Sequence, residues 1–483
     1  MKRIILLFTA LTISALASAE LRIPTQFGEG MVLQQKTDAA IWGWASAGSK
    51  ITVKTSWNKK SCTATAGQDG RWEVKVATPG ASYTPYTIQI SGDGTKTVIN
   101  DVLIGEVWLA SGQSNMEMPM RGFFNCPVEG AADAISAAPL YDKVRMYTAL
   151  TDQSYEPREE IAKTYGWQKA GPETIADMSA VAFYFARKIN QTLDVPVGIV
   201  SFAYGGARVE SWLPEKTLRE WNTEDLSKET IEATQHYTRP FLMYNAMEQP
   251  LKGYTGKGFI WYQGCSNVGH HDVFVERMQE LVRQWRSDWG DATEAMPFLM
   301  VEIAPYIMGP EGEVSNESLL RQAQHEAAKA IKNSGIIVTN DLVAPYEQHN
   351  IHPCKKEPVG NRLAFLALKY TYGFDRIAAD SPEAIEIVKD TMIPGGLGIK
   401  LSNCPNGLDR SMGIQALEIS GADNVWVPVE EAFFDWEGRL LHVRAEGVAE
   451  PCQVRYGWGE FNPGNLHNCE GLPVAPFWLK LED

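Results

Sequence analysis

Gly105-Glu106-Val107-Trp108-Leu109-Ala110-Ser111-Gly112-Gln113-Ser114-Asn115-Met116 is a short apolar run that breaks into small and polar residues. Residues 107–110 have the length and unbroken apolarity of a strand buried on both faces. Gly112 allows a tight turn, and a serine just past such a strand presents its hydroxyl and its own N–H to a cleft. Val197–Ser201, Gly258–Tyr262, Phe298–Val301 and residues 336–339 read as strands of the same kind. Helical spacing lies between them. Val181, Tyr184, Phe185, Ile189 and Leu193 form one face; Phe274, Met278, Leu281, Val282 and Trp285 a second; Leu363, Leu366 and Tyr370 part of a third. Strand–helix alternation predicts an α/β unit with a doubly wound parallel sheet, covered by helices on both sides.

The flanks read differently. Ile51, Val53, Thr55 and Trp57, then Trp72, Val74 and Val76, then Tyr86, Ile88 and Ile90 alternate with polar residues between turn signals. This predicts an N-terminal β-sandwich over 20–101, with Trp42, Trp44, Trp57 and Trp72 read as its core in preference to a sugar-stacking platform. The α/β unit is expected over 102–379 and a small C-terminal β region over 380–483. At the start, Lys2 and Arg3 precede an apolar run, and Ala17-Ser18-Ala19 follows it. That is the pattern of a cleaved export signal over 1–19, which places the protein in the periplasm, at the cell surface or outside the cell. No later apolar run is long enough to span a bilayer.

The chain has 483 residues, a formal net charge of −15, 44 % hydrophobic and 21 % charged residues. That composition is globular, and an acidic chain with no basic block is a poor partner for nucleic acid. None of the seven cysteines is paired in a CxxC spacing. The adjacent His270 and His271 sit poorly for joint ligation, so no metal or other cofactor is expected.

In a doubly wound sheet the ligand lies beyond the carboxyl ends of the strands. Four segments meet that condition: the Ser114 turn, Gly205-Gly206 followed by Arg208, Gln263-Gly264-Cys265-Ser266-Asn267, and His349-Asn350-Ile351-His352-Pro353. Together they offer a hydroxyl nucleophile, a base and donors for an oxyanion, the parts acyl transfer requires. These blocks, in order, resemble the SGNH-type esterases and specifically the sialate O-acetylesterase family of carbohydrate acetylesterases. Gly30-Met31-Val32-Leu33-Gln34, Trp42-Gly43-Trp44 and Val454-Arg455-Tyr456-Gly457 extend the resemblance over nearly the whole chain.

The resemblance implies Ser114 as nucleophile, His352 as base, and an oxyanion hole from the Ser114 N–H, Gly205 or Gly206, and Asn267. It implies an O-acetylated glycan as substrate, met by Gln113, Gln263 and Arg208, the last suited to a sugar carboxylate. The chain departs from the family at three places. His349 and Asn350 stand where an orienting acid is usual, leaving Asp341, Glu347 or a dyad without an acid as alternatives. Cys265 replaces a glutamate, and Cys354 stands where a basic residue is common. A disulfide between Cys265 and Cys354 is expected from these two departures. The competing reading is a carbohydrate-binding protein with a decayed esterase site.

Overall fold

The computed structural model describes residues 20–308, 315–409, 411, 413–435 and 439–481; the export signal expected over 1–19 lies outside them. Its spine is one strand of 18 residues, Thr95–Gly112. The first half belongs to the N-terminal β layers, pairing antiparallel with Ser82–Gly92 and, near its middle, parallel with Val32–Gln34. The second half pairs in parallel on both edges, with Val197–Ser201 and with Gly258–Tyr262. The expected boundary between 101 and 102 therefore falls inside a continuous strand.

The central sheet runs in the order Ser334–Ile337, Phe298–Val301, Gly258–Tyr262, Thr95–Gly112, Val197–Ser201, Val144–Ala149, Thr164–Lys169. Pairing along it is parallel until the last strand, which is antiparallel. Alternating side chains along each strand feed two separate cores. Val107 and Leu109 pack on one side, in a core that continues into the N-terminal layers through Trp42 and Trp72. Trp108 and Ala110 pack on the other, with Val181, Phe185 and Leu363. Both faces are covered, which is why these strands read as unbroken apolar runs. Trp42, Trp44 and Trp72 are buried in that first core and Trp57 packs against it, so none forms a sugar platform.

The helices use the faces expected of them. Ala180–Leu193 starts at Ser179, whose hydroxyl accepts the Ala182 N–H at 3.2 Å, and buries Val181, Tyr184, Phe185 and Ile189. His271–Asp288 buries Phe274, Met278, Leu281, Val282 and Trp285. Lys356–Tyr370 buries Leu363 and Leu366, but Tyr370 is exposed, its hydroxyl donating to Asp380 at 2.6 Å. Tyr370 is the last residue of the helix. Beyond it lie two four-stranded sheets, with pairing that is antiparallel throughout, closing on Leu397, Ile399, Ile419, Val443 and Val454. They dock on the α/β unit through His467, which contacts Asp341 at 3.0 Å, and the Gly459 carbonyl, which accepts from Arg321 at 2.6 Å.

The close approach of Lys356–Tyr370 to Ala180–Leu193 depends on Gly360. A Cβ there would stand 2.6 Å from Tyr184 Cβ and 2.7 Å from both Phe185 N and Val181 O, two of which are backbone atoms that cannot swing away. Gly360→Ala should lower stability by about 1–3 kcal/mol in urea denaturation, although alanine gains about 1 kcal/mol in helix propensity. A midpoint at or above wild type would show that the helices can part at no cost.

Candidate active site

The strand order reverses at Thr95–Gly112: the chain next forms three strands on one edge of it, the last of them, Val197–Ser201, taking the place beside it, then crosses to the other edge with Gly258–Tyr262. That makes its carboxyl end the switch point where a crevice opens. Gly112 makes the exit possible. It has φ +132°, and a Cβ would fall 2.2 Å from the Tyr262 carbonyl oxygen of the neighbouring strand. The Gln113 N–H donates to that same oxygen at 2.9 Å, and Ser114 then opens a single helical turn, Ser114–Glu117.

Ser114 Oγ lies 2.8 Å from His352 Nε2. His352 comes from a loop 238 residues further on, held by bonds within itself and to the serine turn. The Asn350 Oδ1 accepts the His352 N–H at 3.0 Å and the Cys126 thiol at 3.5 Å. The Asn115 Nδ2 donates to the Ile351 carbonyl at 2.9 Å. Phe123 meets the imidazole edge-on, with ring centroids 5.2 Å apart. Burial, reinforced by the Lys356 cation, pulls the His352 pKa down to about 4.

No carboxylate among the described residues hydrogen-bonds the His352 ring. Asp341, the first candidate for that task, is gripped by both guanidinium arms of Arg362 (2.8 and 2.6 Å) and by His467. Its pKa lies at about 2: burial opposes the charge, but these donors outweigh it. Asp341 thus joins the Lys356–Tyr370 helix to the C-terminal sheets rather than orienting the base. Glu347 is buried and spends both oxygens on backbone, accepting from the Ala344 and Cys354 N–H groups at 2.9 Å each. What the structure presents is a dyad.

The glycine pair lies alongside. A Cβ on Gly205 would be 3.5 Å from Ser114 Cβ, so this loop borders Ser114. The Gly205 N–H donates to Glu117 at 2.6 Å, whereas no partner in the described protein takes the Gly206 N–H. Burial raises the Glu117 pKa, an effect the Gly205 bond partly offsets. Asn267 is buried and oriented: its Oδ1 accepts from the Val209 N–H (3.1 Å) and Gln263 Nε2 (2.7 Å). Its Nδ2 donates to Glu210 at 3.1 Å, and Glu210 in turn is ion-paired with Arg277.

Three residues expected to meet substrate make hydrogen bonds inside the protein. Gln113 accepts the Gly264 N–H at 2.8 Å, and Gln263 donates to the Ala207 carbonyl at 3.1 Å, both side chains being buried. They brace the loops on which the site stands. Arg208 donates to Glu224 and to the Thr238 carbonyl, each at 2.9 Å, and lies 3.9 Å from Glu210. With its guanidinium taken by an internal acid, it is not a free cation for a sugar carboxylate.

The expected disulfide does not form. Cys265 and Cys354 are both free thiols, as are the five other cysteines. The Cys265 thiol interacts with Tyr306 and burial pushes its pKa up to about 12, which makes it a poor nucleophile. The Cys354 thiol is directed towards Glu129, 3.9 Å away. Asn115, Glu117 and Lys356 were not anticipated as parts of the site. Glu117 stands three residues after Ser114, hence on one helix face with it, and that spacing was the available signal.

The family model described as carbohydrate esterase, sialic acid-specific acetylesterase, matches residues 104–369. The sialate O-acetylesterase of Mus musculus is 26 % identical, the alignment covering 98 % of this chain and 97 % of the mouse protein. That of Homo sapiens is 27 % identical over 76 % of this chain and 74 % of its own. Among solved structures, a carbohydrate acetylesterase from Xanthomonas citri superposes with a TM-score of 0.83 and 31 % identity, covering 95 % of this chain and all of that one. With its doubly wound sheet, its Ser114–His352 pair and a family match over more than half its length, the chain belongs to the sialic acid-specific acetylesterase family of carbohydrate esterases.

Proposed function

We infer that this protein is a serine esterase that removes O-acetyl groups from acetylated sugars, with Ser114 as nucleophile and His352 as base. The 2.8 Å contact between Ser114 Oγ and His352 Nε2, at the switch point of an esterase-family sheet, carries the reading. It also weighs against a decayed, merely sugar-binding site, which has no need to hold that pair in register. The export pattern of residues 1–19 supports an exported enzyme working on glycans outside the cytoplasm.

His352 takes the Ser114 proton as Oγ attacks the acetyl carbonyl carbon, and the carbonyl oxygen becomes an oxyanion. The Ser114 N–H, the unengaged Gly206 N–H and the Asn267 amide are the donors we assign to it, with the Gly205 N–H already held by Glu117. The adduct collapses with the C–O bond to the sugar breaking and His352 returning the proton to the departing hydroxyl. A water then gives its proton to His352, attacks the acetyl-serine, and leaves acetate and free Ser114.

Ser114→Ala and His352→Ala should each lower kcat/KM for an acetylated sugar by about 10⁴-fold, read as acetate release. Near wild-type turnover by either would overturn the assignment. Asn267→Ala should lower kcat by about 10²–10³-fold with KM nearly unchanged, since an oxyanion contact strengthens only in the transition state; an effect on KM alone would make Asn267 a ground-state binder. The base must be neutral to accept a proton, and its pKa in the free enzyme is about 4. Activity should therefore persist well below neutrality, with kcat/KM falling only as pH drops through about 4; an acid limb at the ordinary histidine value would contradict this environment.

A further inference from the structure

The dyad lacks the acid that usually orients such a histidine, while a buried cation beside it has no acidic partner. Lys356 opens the Lys356–Tyr370 helix and is almost wholly inaccessible. A lysine is rarely buried unless paired, and a cation is misplaced in the first turn, where the backbone dipole is positive. No ion pair within 4 Å offsets either cost among the described residues. Its ammonium makes one side-chain hydrogen bond, to Asn115 Oδ1 at 2.5 Å, and lies 5.8 Å from the centroid of the Tyr262 ring.

Asn115 follows the nucleophile directly, and its other amide edge donates to Ile351 O at 2.9 Å, next to the base. With an ammonium on one side, only the oxygen of the amide can face it, so Nδ2 must face the Ile351 carbonyl. Lys356, Asn115 and Ile351 thus form a bridge between the serine turn and the histidine loop. The titratable groups whose charges act on the ammonium are Cys265, Glu347, Cys354 and Cys126, from three different loops, and the ammonium in turn acts on His352. Burial outweighs the first four and leaves the Lys356 pKa at about 7, so it is charged throughout the range in which His352 titrates. The same charge helps hold His352 neutral.

We propose that Lys356 is a positioning residue of the esterase: by clamping Asn115 it holds Ser114 and His352 in register, the orienting task otherwise left to an acid. This rests on Ser114 and His352 being nucleophile and base. The mature enzyme would be assayed by acetate release across pH, as wild type and as Lys356→Met, Lys356→Arg, Asn115→Ala and Ser114→Ala. Lys356→Met removes a buried charge at similar volume, so folding should survive. It should lose about 10–100-fold in kcat, with KM little changed, and its acid limb should move to higher pH. Lys356→Arg, which keeps the charge, should leave the limb near that of wild type. Asn115→Ala should lose kcat while leaving the limb in place, because it cuts the bridge and spares the charge. Wild-type kcat and an unmoved limb in Lys356→Met, with Ser114→Ala inactive, would overturn the clamp alone. Activity in Ser114→Ala would instead overturn the reading on which it rests. A stability loss in Lys356→Met with no change in limb would make the lysine structural and also overturn the proposal.

Discussion

The architecture depends on one strand shared between two layers. Residues 95–99 of Thr95–Gly112 pair along one edge with Ser82–Gly92, while from Leu103 onward the strand gains parallel partners, ending between Val197–Ser201 and Gly258–Tyr262. Its N-terminal half is part of the β layers, while its C-terminal half is the innermost strand of a parallel sheet. This joins the first eighty residues to the esterase unit through a backbone that cannot bend freely, and through a shared core containing Trp42, Trp72, Val107 and Leu109. Ser114 consequently stands two residues past the end of this strand. Precision of this kind suits a reaction in which a misplacement of about 1 Å can cost about 10²-fold.

The electrostatics of the site follow from burial. Glu117, His352 and Lys356 all have pKa values displaced towards their neutral forms, each with desolvation as the largest cause. A neutral imidazole is the form a general base requires. Glu117 accepts from the Gly205 N–H, and the next N–H, that of Gly206, has no partner in the described protein. Asn267 is held by a buried glutamate whose own charge is met by Arg277.

Glutamine, arginine and aspartate illustrate how sequence reading of polar residues can misassign them. Gln113, Gln263 and Arg208 flank the nucleophile turn and the glycine pair, and proximity along the chain suggested contact with substrate. In the folded chain Gln113 accepts from the Gly264 N–H, Gln263 donates to the Ala207 carbonyl and Arg208 pairs with Glu224. Asp341 closes the strand nearest the histidine loop, yet Arg362 and His467 reach it from a helix and from the C-terminal sheets. Which of several donors claims a carboxylate depends on elements more than a hundred residues apart, and no local pattern encodes that competition.

By itself the amino-acid order determined the strand–helix alternation, the apolar faces of Ala180–Leu193 and His271–Asp288, the serine at a strand end and the histidine that meets it. Those features rest on periodicity, turn chemistry and motif spacing, which are properties of neighbouring residues. Tertiary structure decided that Cys265 and Cys354 stay apart as thiols, one directed to Tyr306 and the other to Glu129. It also decided that no acid orients His352 and that a buried lysine joins the serine turn to the histidine loop through Asn115. The physical reason is the same in each case. Side-chain direction and desolvation are set by what packs around a group, and that surrounding is assembled from segments distant in the chain.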